Sequence, residues 1–267
     1  MPAARLFEIL SEQDAAAPRC ALEEEYGAAL VVGEGRIAVN FVSTIDGIVS
    51  FGRTWDDSRA VGGGAAADRT LMAMLRAVAG VIVVGAATLR AAATHQWTPR
   101  ALLPGRAAEL VGLREAAGLG ADPAPLLVVS ASADIPGDAA AVARPEVPAH
   151  VLTAAGLAPA AEATHPADRP SQRLSGDAIV EAARSLGPGP ILCEGGAHLF
   201  GSLLEAGMPA DLFLTVAPQL AGRSPASPQR RSLVEGTALA PFERRAALRS
   251  ARRAGDHLLL RYFVQPG

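Results

Sequence analysis

Residues 191–216 read ILCEGGAHLFGSLLEAGMPADLFLTV, and this stretch decides the fold. Residues 190–193 form a short apolar run that predicts a buried strand, and the Gly195-Gly196 pair follows it directly. Apolar side chains at helical spacing over 197–206 predict a helix, and residues 211–216 predict a second strand. A strand, a glycine turn, a helix and a strand in this order form the repeating unit of an α/β fold.

The same order of elements occurs nearer the N-terminus. Residues 36–42, RIAVNFV, predict a strand because apolar side chains alternate with smaller or more polar ones. Residues 65–79 predict a helix, and the run VIVV at 81–84 predicts a strand covered on both faces. Strand, helix and strand here indicate a parallel crossover. Further strands are predicted at 126–129 and 150–153, a helix at 177–186, and an antiparallel hairpin within 247–264 that turns near Gly255 and Asp256.

These elements predict a single α/β domain with a mostly parallel central sheet, an antiparallel C-terminal edge and helices on both faces. The domain is expected to cover residues 36–267. Residues 1–35 mix a short amphipathic piece with Ala, Pro and acidic residues, and they predict an N-terminal extension. Residues 156–175 are rich in Pro, Ala and Asp, which is typical of surface loops.

Composition excludes several classes of function. All 24 basic residues among the 267 are arginine, so a lysine Schiff base, a lysine nucleophile and the P-loop lysine are absent. A net charge of -3 gives no reason to expect a nucleic acid as partner. Cys20 and Cys193 lie too far apart in sequence for a CxxC zinc site, so no metal is expected. No segment reaches about 18 uninterrupted apolar residues, which predicts no membrane span, and the cysteine usage predicts a cytoplasmic location.

Three glycine-containing strand ends are candidates for ligand binding, because ligands in open α/β sheets settle at the carboxyl ends of strands. In VIVVGAATLR, Gly85 is followed by a helix start where Thr88 and backbone N–H groups could meet an anion, with Arg90 one turn on. In the second, Gly195-Gly196 lets a ligand approach the backbone closely. Glu194 before it is costly to bury unless donors meet it, and either a ligand or the following helix could supply them. The third, VNFVSTIDG at 39–47, predicts a hairpin turn.

The joint order of these motifs carries a resemblance to a known family. VNFVSTIDG (39–47), VGAATLR (84–90), WTPR (97–100) and CEGGAHLFGSLLEAGMPADLFLTVAPQLAG (193–222) together resemble the reductase domain of riboflavin biosynthesis, which has the dihydrofolate-reductase-like fold. The resemblance covers about residues 36–265. It implies a homodimeric, NADPH-dependent oxidoreductase. Its expected substrate is a small molecule, 5-amino-6-(5-phosphoribosylamino)uracil, whose sugar is reduced to the ribitylamino form.

The resemblance also implies a role for individual residues. Cofactor contacts are expected from Gly85, Thr88, Leu89, Arg90, Ser130, Gly195, Gly196, Ala197, His198, Leu199 and Phe200. Substrate contacts are expected from Asn40, Ser43, Arg69, Arg100 and Glu194. Asp46 and Glu194 are expected to act nearest the reaction. Arg90 is the expected partner of the 2′-phosphate that distinguishes NADPH from NADH.

The chain also departs from the family pattern. The family usually places an Asp-Asp-Pro segment between its threonine motif and the arginine, and here residues 91–97 read AAATHQW, with no acid. His95 and Trp97 are expected in an exposed loop. The zinc deaminase half that is often fused in bacteria is absent from this sequence, which predicts a stand-alone reductase. Two alternatives stay open: a pteridine or other small-molecule reductase on the same fold, and a degenerate nucleotide-binding protein without catalysis.

Overall fold

The computed structural model describes residues 6–13, 15–33, 35–52, 57–132, 134–162, 173–240 and 243–267. Its strands are β1 (Glu8–Glu12), β2 (Ile37–Thr44), β3 (Ile48–Ser50), β4 (Val81–Gly85), β5 (Leu126–Val129), β6 (Ala149–Thr153), β7 (Gly156–Pro159), β8 (Ile191–Cys193), β9 (Ala210–Ala217), β10 (Arg231–Ser232), β11 (Ala246–Ala254) and β12 (His257–Val264). Its α-helices are α1 (Ala21–Tyr26), α2 (Asp57–Gly62), α3 (Ala66–Ala77), α4 (Ala86–Ala91), α5 (Pro99–Leu102), α6 (Ala107–Ala116), α7 (Ala140–Ala143), α8 (Gly176–Leu186) and α9 (Ala197–Glu205). Short 3₁₀ turns follow at Pro104–Arg106 and Ala160–Glu162.

Ten of these strands pair into one mixed sheet in the order β1-β11-β12-β9-β2-β8-β4-β5-β6-β7. The central strands β9, β2, β8, β4, β5 and β6 are parallel to one another. β12 pairs antiparallel with β9, and β11 pairs antiparallel with β12, so the C-terminal hairpin forms the antiparallel edge. This arrangement confirms the predicted mostly parallel sheet with an antiparallel C-terminal edge.

The opposite edge of the sheet differs from the expectation for residues 156–175. Gly156–Pro159 forms the strand β7, which pairs antiparallel with β6 across a tight turn. Gly156 has φ +119°, a conformation that glycine adopts at little cost, and this permits the reversal. The expected surface loop is therefore wrong for 156–159. Residues 163–172 of that loop lie outside the described residues.

The alternation of side chains along each strand divides the core into two layers. Ala38, Ile82 and Leu192 face the layer that contains α3 and α6. Val39, Val83 and Cys193 face the layer that contains α8 and α9. Because a strand places successive side chains on opposite faces, parallel strands buried on both sides are apolar throughout, as the run VIVV of β4 is. Helices therefore cover both faces, as predicted.

Several residues before position 36 pack into the same sheet and core as the rest of the chain. β1 pairs antiparallel with β11, and the side chains of Phe7, Leu22 and Tyr26 are buried in the α3 layer of the core. The fully buried Arg252 of β11 donates to the Tyr26 carbonyl at 2.7 Å, and its guanidinium lies 3.7 Å over the Tyr26 ring. The segment is thus an edge strand and a helix of the same core. The division at residue 36 stays a prediction.

The parallel order places the ends of six neighbouring strands at one edge of the sheet. β9, β2, β8, β4, β5 and β6 all finish there, so the segments that follow them share one surface. We call this surface the carboxyl edge. It holds the glycine motifs predicted from the sequence. None of the helices in the described ranges is long and apolar enough to cross a membrane.

Candidate functional site

The carboxyl edge is organised around three glycines. Gly85 at the end of β4 donates its backbone N–H to the Gly195 carbonyl at 2.8 Å. A Cβ on Gly85 would lie 3.3 Å from the Gly196 nitrogen, and Gly195 has φ +88°. The Gly195–Gly196 peptide bond is cis. The two turns therefore pack backbone against backbone, which brings the ends of β4 and β8 together.

The start of α9 beside this turn fits an anionic group. Gly196 is the N-cap of this nine-residue helix, and no side chain caps its first N–H groups. A Cβ on Gly196 would lie 3.4 Å from the Thr88 hydroxyl oxygen, so Thr88 stands over the same turn. Uncapped N–H groups and the positive end of the helix dipole attract phosphate. Five residues expected to contact a cofactor therefore come together in one place: Gly85, Thr88, Gly195, Gly196 and Ala197.

Ser130, directly after the neighbouring strand β5, adds a buried hydroxyl that could bind a ligand. Its side chain is 2% exposed, and its hydroxyl oxygen has no hydrogen-bond partner among the described residues. A buried hydroxyl without a partner costs about 1–3 kcal/mol. A bound group at the carboxyl edge would remove this cost, which fits the expected position of Ser130 beside a cofactor.

Three expected cofactor residues have side chains that point into the core. Leu89 is 0% exposed and packs in the α3 layer. Leu199 and Phe200 are buried in the α9 layer, where the Phe200 ring contacts Phe41 with centroids 5.7 Å apart. These residues can meet a ligand only through their backbones. Their apolar side chains were part of the helix pattern, so their burial follows from the fold.

A segment of the long connection after β9 lies against α9. Glu235 donates its backbone N–H to the Ala197 carbonyl at 3.3 Å, and a Cβ on Gly201 would lie 2.3 Å from the Glu235 carbonyl oxygen. A Cβ on Gly236 would lie 2.6 Å from Nδ1 of the exposed His198. The His198 imidazole is thus packed against this segment. His198 could contact a ligand at the start of α9 through its backbone N–H.

Glu194 is held by an arginine that the sequence argument did not identify. Arg76 of α3 donates from Nε to Glu194 Oε1 and from Nη2 to Oε2, both at 2.7 Å. The two side chains are 2% and 6% exposed. The donors that a buried carboxylate requires therefore come from Arg76, and neither a ligand nor the helix after Glu194 has to supply them. Each carboxylate oxygen can still accept a further hydrogen bond.

The remaining donors of Arg76 organise the segment that lacks the acidic motif. Arg76 Nη1 donates to His95 Nε2 at 2.8 Å, to the Gln96 carbonyl at 3.2 Å and to the Thr98 carbonyl at 3.3 Å. Burial, with the nearby Arg76 and Arg69 charges, lowers the pKa of His95 to about 3. Trp97 is 2% exposed and meets the His95 ring edge-to-face at 5.1 Å. The expectation of an exposed loop at His95 and Trp97 is therefore wrong, because Arg76 draws the segment inward.

A second carboxyl group, Asp68, faces the same region and was missed from the sequence. Burial is the main cause that raises the pKa of Asp68, and the Glu194 charge adds to it, against opposing effects of Thr215 and His257. An acidic residue on the sheet-facing side of an apolar helix was the available signal.

Asn40 lies beside Glu194 in the sheet. β2 and β8 are in register at Val39 and Cys193, so the next residues, Asn40 and Glu194, follow on the same face. Asn40 is 8% exposed. Ser43 is three positions along β2, so it faces the α9 layer instead. Asn40, Glu194 and Asp68 therefore form one polar cluster on the α3 side of the sheet, and Ser43, an expected substrate residue, does not belong to it.

Asp46, which was expected to act near the reaction, accepts hydrogen bonds that join two loops. The Thr44 hydroxyl donates to its carboxylate at 2.6 Å, and the backbone N–H groups of Ala221 and Gly222 donate at 3.1 Å and 2.5 Å. These donors lower the pKa of Asp46 to about 2. An exposed carboxylate that stays ionised holds no proton for catalysis near neutral pH. It ties the turn after β2 to the loop after β9.

The turn at Asp46 is not the β-hairpin that the sequence predicted. Gly47 has φ +82° and donates its N–H to the Thr44 carbonyl, which makes a tight turn. β3, which follows, pairs with β10 in a separate two-stranded sheet. The chain therefore leaves the main sheet after the turn, and Asp46 joins the two parts.

Replacing Asp46 with asparagine is expected to abolish an acid-dependent loosening of the loop at 219–222. In the unfolded chain the carboxyl titrates near its ordinary value of 3.8, and in the folded protein near 2. The stabilisation of the loop by the ionised Asp46 carboxylate is therefore complete above pH 3.8, and it is lost as the pH falls from there through about 2. Acid titration of the Gly222 amide resonance checks this. An inflection above pH 4 in the wild-type protein would contradict it.

The expected arginines lie in three different places. Arg90 is exposed at the end of α4 and donates to the Asp134 carbonyl at 2.9 Å. Arg100 is 65% exposed and pairs with Glu146 at 3.1 Å, on the surface. Arg69 donates to the Leu102 carbonyl at 2.8 Å and lines a cavity of about 250 Å³ between α3 and the 3₁₀ turn at Pro104–Arg106. Arg69 and Arg100 therefore bind different partners, a backbone carbonyl of α5 and a surface carboxylate.

The described residues contain no group of three or more His, Cys, Asp or Glu side chains that could hold a metal ion.

Comparison with known proteins adds a family to this geometry. The family model of the RibD C-terminal domain matches residues 36–259. Comparison with curated proteins finds no match.

Solved structures give the fold. The pyrimidine reductase-like protein of Corynebacterium diphtheriae is 19% identical, with a TM-score of 0.55 over 93% of this chain and 100% of its own. RibD of Acinetobacter baumannii is 18% identical, with a TM-score of 0.58 over 87% of this chain. The diaminohydroxyphosphoribosylaminopyrimidine deaminase/5-amino-6-(5-phosphoribosylamino)uracil reductase of Thermotoga maritima is 15% identical, with a TM-score of 0.57 over 87% of this chain. This chain spans 59% and 56% of the length of the last two proteins. These similarities confirm the predicted dihydrofolate-reductase-like α/β fold.

Proposed function

The chain belongs to the RibD C-terminal domain family, and we propose that it is a reductase that passes a hydride from NADPH to 5-amino-6-(5-phosphoribosylamino)uracil in riboflavin biosynthesis. The observation that carries the proposal is the arrangement of the carboxyl edge. The glycine cradle of Gly85 and Gly195-Gly196 lies directly beside the polar side chains of Glu194 and Asn40. A dinucleotide and a small heterocycle bound to these two parts would be neighbours.

The division of labour follows from the residues. NADPH supplies the hydride when it is bound. The uncapped start of α9 and Thr88 would hold its phosphates, and the buried Ser130 hydroxyl would gain a partner. Asn40 and Glu194 would orient the heterocycle through its N–H and carbonyl groups. Hydride transfer requires orientation and exclusion of water more than acid–base chemistry, which fits a site built from backbone and two polar side chains.

The test is a titration of purified protein with NADPH and NADH, followed by tryptophan fluorescence and thermal shift. Turnover of the aminouracil is then measured from the loss of nicotinamide absorbance. Tight NADPH binding with reduction of the aminouracil is expected. Binding without turnover of either the aminouracil or dihydrofolate would favour the non-catalytic alternative, and no binding would remove the reductase proposal.

The buried Asp68 carboxyl leaves a second candidate open, reduction of a pteridine. A 2-amino-4-oxopyrimidine ring presents adjacent amino and ring N–H groups, which match a carboxylate, and the aminouracil presents a similar pair at its ring N1–H and its 6-amino N–H. Glu194 already accepts both bonds of the Arg76 fork, whereas burial raises the pKa of Asp68. Dihydrofolate measured beside the aminouracil, at equal NADPH, separates the two substrates.

Replacing Arg90 with alanine is expected to weaken NADPH binding by roughly tenfold and to leave NADH binding unchanged, because a charged hydrogen bond contributes about 1.5–3 kcal/mol. Arg90 is exposed and its present contact with Asp134 is weak enough to exchange for a 2′-phosphate. Fluorescence titration with both dinucleotides checks this. Arg253→Ala, at an equally exposed pair with Glu8 on the far edge, is the matched control. Equal loss of both affinities would contradict the assignment.

A homodimer and a cytoplasmic location are part of the same proposal. The homodimer rests on the family resemblance and the location on the cysteine usage, and sedimentation of the purified protein tests the homodimer.

A further inference from the structure

We propose that Arg76 is a positioning residue, which fixes the Glu194 carboxylate in one orientation and holds residues 95–98 beside it. The statement that Glu194 then meets the substrate rests on the proposed function. The holding of residues 95–98 does not rest on it. Arg76 itself would touch neither substrate nor cofactor, and it would act through Glu194.

The contacts of Arg76 leave it one orientation. Its Nε and Nη2 meet the two oxygens of Glu194 in a fork, and its Nη1 meets His95 Nε2 and the carbonyls of Gln96 and Thr98. A planar guanidinium with donors in fixed directions sets the plane of a carboxylate that it meets through two bonds. Glu194 therefore cannot rotate without breaking one of two short, buried bonds.

His95 completes this arrangement as a neutral acceptor. An arginine only donates, so His95 Nε2 must accept from it, and the proton of the ring then lies on Nδ1. The lowered pKa of His95 keeps the ring uncharged, so it adds no second cation beside Arg76. The charge of Arg76 is therefore balanced by Glu194 alone among these contacts, and both belong to one unit with the segment at 95–98.

This unit joins three parts of the chain that are far apart in sequence. Arg76 lies on α3, Glu194 follows β8 directly before the Gly195-Gly196 turn, and residues 95–98 lie where the family's acidic segment is absent. Gln96 extends the unit by donating to the Ala140 and Arg144 carbonyls at 3.0 Å and 2.9 Å. In this chain the guanidinium of Arg76 on α3 thus holds residues 95–98 in place.

A matched control exists in Arg114 of α6. Arg114 is also buried, and it also donates to backbone carbonyls, those of Ala77, Ala79 and Asp122. It makes no contact with Glu194 or with residues 95–98. Loss of Arg114 therefore reports what losing a buried arginine does to the fold in general.

The first experiment compares hydrogen exchange in the full-length Arg76→Met, Arg76→Lys and Arg114→Met proteins. Amides of residues 93–98 are expected to exchange roughly tenfold faster in Arg76→Met than in the wild type, because about 1.4 kcal/mol of local stability is a factor of ten. Arg114→Met is expected to leave these amides unchanged. Arg76→Lys, which keeps the charge but not the fork, is expected to lie between. Unchanged exchange at 93–98 in Arg76→Met, or the same increase in Arg76→Met and Arg114→Met, would overturn the proposal.

The second experiment separates positioning from folding. In Arg76→Met we expect KM for the aminouracil to rise roughly tenfold or more, with the Kd of NADPH within about twofold of the wild type. In the double variant with Glu194→Gln, KM should rise no further than in Glu194→Gln alone, because Arg76 acts through Glu194. A rise in both constants alike, or additive effects on KM, would overturn the positioning role. If the wild-type protein reduces neither substrate, the proposed function fails, and the exchange comparison still decides whether Arg76 holds residues 95–98.

Discussion

Glu194→Gln is expected to lower the free energy of unfolding by about 3–5 kcal/mol, because it leaves the charge of Arg76 buried without a counter-charge. Arg76 is 2% exposed, so water cannot replace the lost carboxylate. The amide of glutamine can accept one of the two bonds, but it supplies no negative charge. For a chain of this size such a loss corresponds to a fall in Tm of about 10 °C. Urea unfolding at pH 7 and a thermal scan measure both quantities.

The matched control for this prediction is Glu109→Gln. Glu109 pairs with Arg106 at 2.7 Å, the same distance, but the two side chains are 43% and 28% exposed. A surface pair contributes about 0–1 kcal/mol because water and salt screen it, so the control should change stability by no more than that. Replacing both partners in Arg76→Met/Glu194→Gln should recover part of the loss. If Glu194→Gln were as mild as Glu109→Gln, the pair would not be an essential buried contact.

The glycine-containing strand ends could be predicted from the sequence because their signals are local. Gly85 and Gly195-Gly196 each follow a short apolar run and precede a helical pattern, and these signals lie within about ten residues. The parallel order of the strands then brings the two turns together without further information. For this reason the place of the cradle, and the position of Asn40 beside Glu194, follow from strand patterns alone.

The partner of Glu194 could not be predicted in the same way. Because a buried carboxylate is costly without hydrogen-bond donors, Glu194 was expected to have them. The sequence does not show which of the 24 arginines supplies these donors. Arg76 and Glu194 are 118 residues apart, and only the packing of α3 on the sheet joins them. The signal that could have singled out Arg76 is its position among Leu75, Ala77 and Val78, on a helix with little polar surface there.

The N-terminal strand was missed for a related reason. β1 pairs with β11, more than two hundred residues later in the sequence, and a five-residue strand with an acid at each end has a weak pattern of its own. Asp46 shows the opposite error. Its Asp-Gly turn was correctly seen as a turn, but the donors that fix its carboxylate come from Ala221 and Gly222, which no local rule connects with it.

Asp68→Asn is expected to reduce turnover by about a hundredfold or more while making the folded protein more stable near neutral pH. The loss of turnover is the size expected when the heterocycle loses a group that orients it, because a misplacement of about 1 Å can cost about a hundredfold in rate. The gain in stability follows from the raised pKa of Asp68, which burial and the Glu194 charge cause. Below the ordinary value of 3.8, both the folded and the unfolded chain hold the proton. As the pH rises, the unfolded chain ionises first, so Asp68 lowers the stability of the wild-type protein until the pH passes its raised pKa.

Asparagine at this position has no proton to lose, so the advantage of Asp68→Asn should grow with pH across that window and then become constant. Urea unfolding from pH 4 to pH 8 measures the difference, and kcat/KM is followed over the same range with the aminouracil and with dihydrofolate. Asp177→Asn, at the exposed first turn of α8, is the matched control, and it should be slightly destabilised because it loses a favourable charge at a helix N-terminus. A variant that is both less stable and fully active would show that Asp68 is an ordinary structural carboxyl. Higher stability combined with lost turnover is the signature of a group that the fold tolerates at a cost because the site requires it.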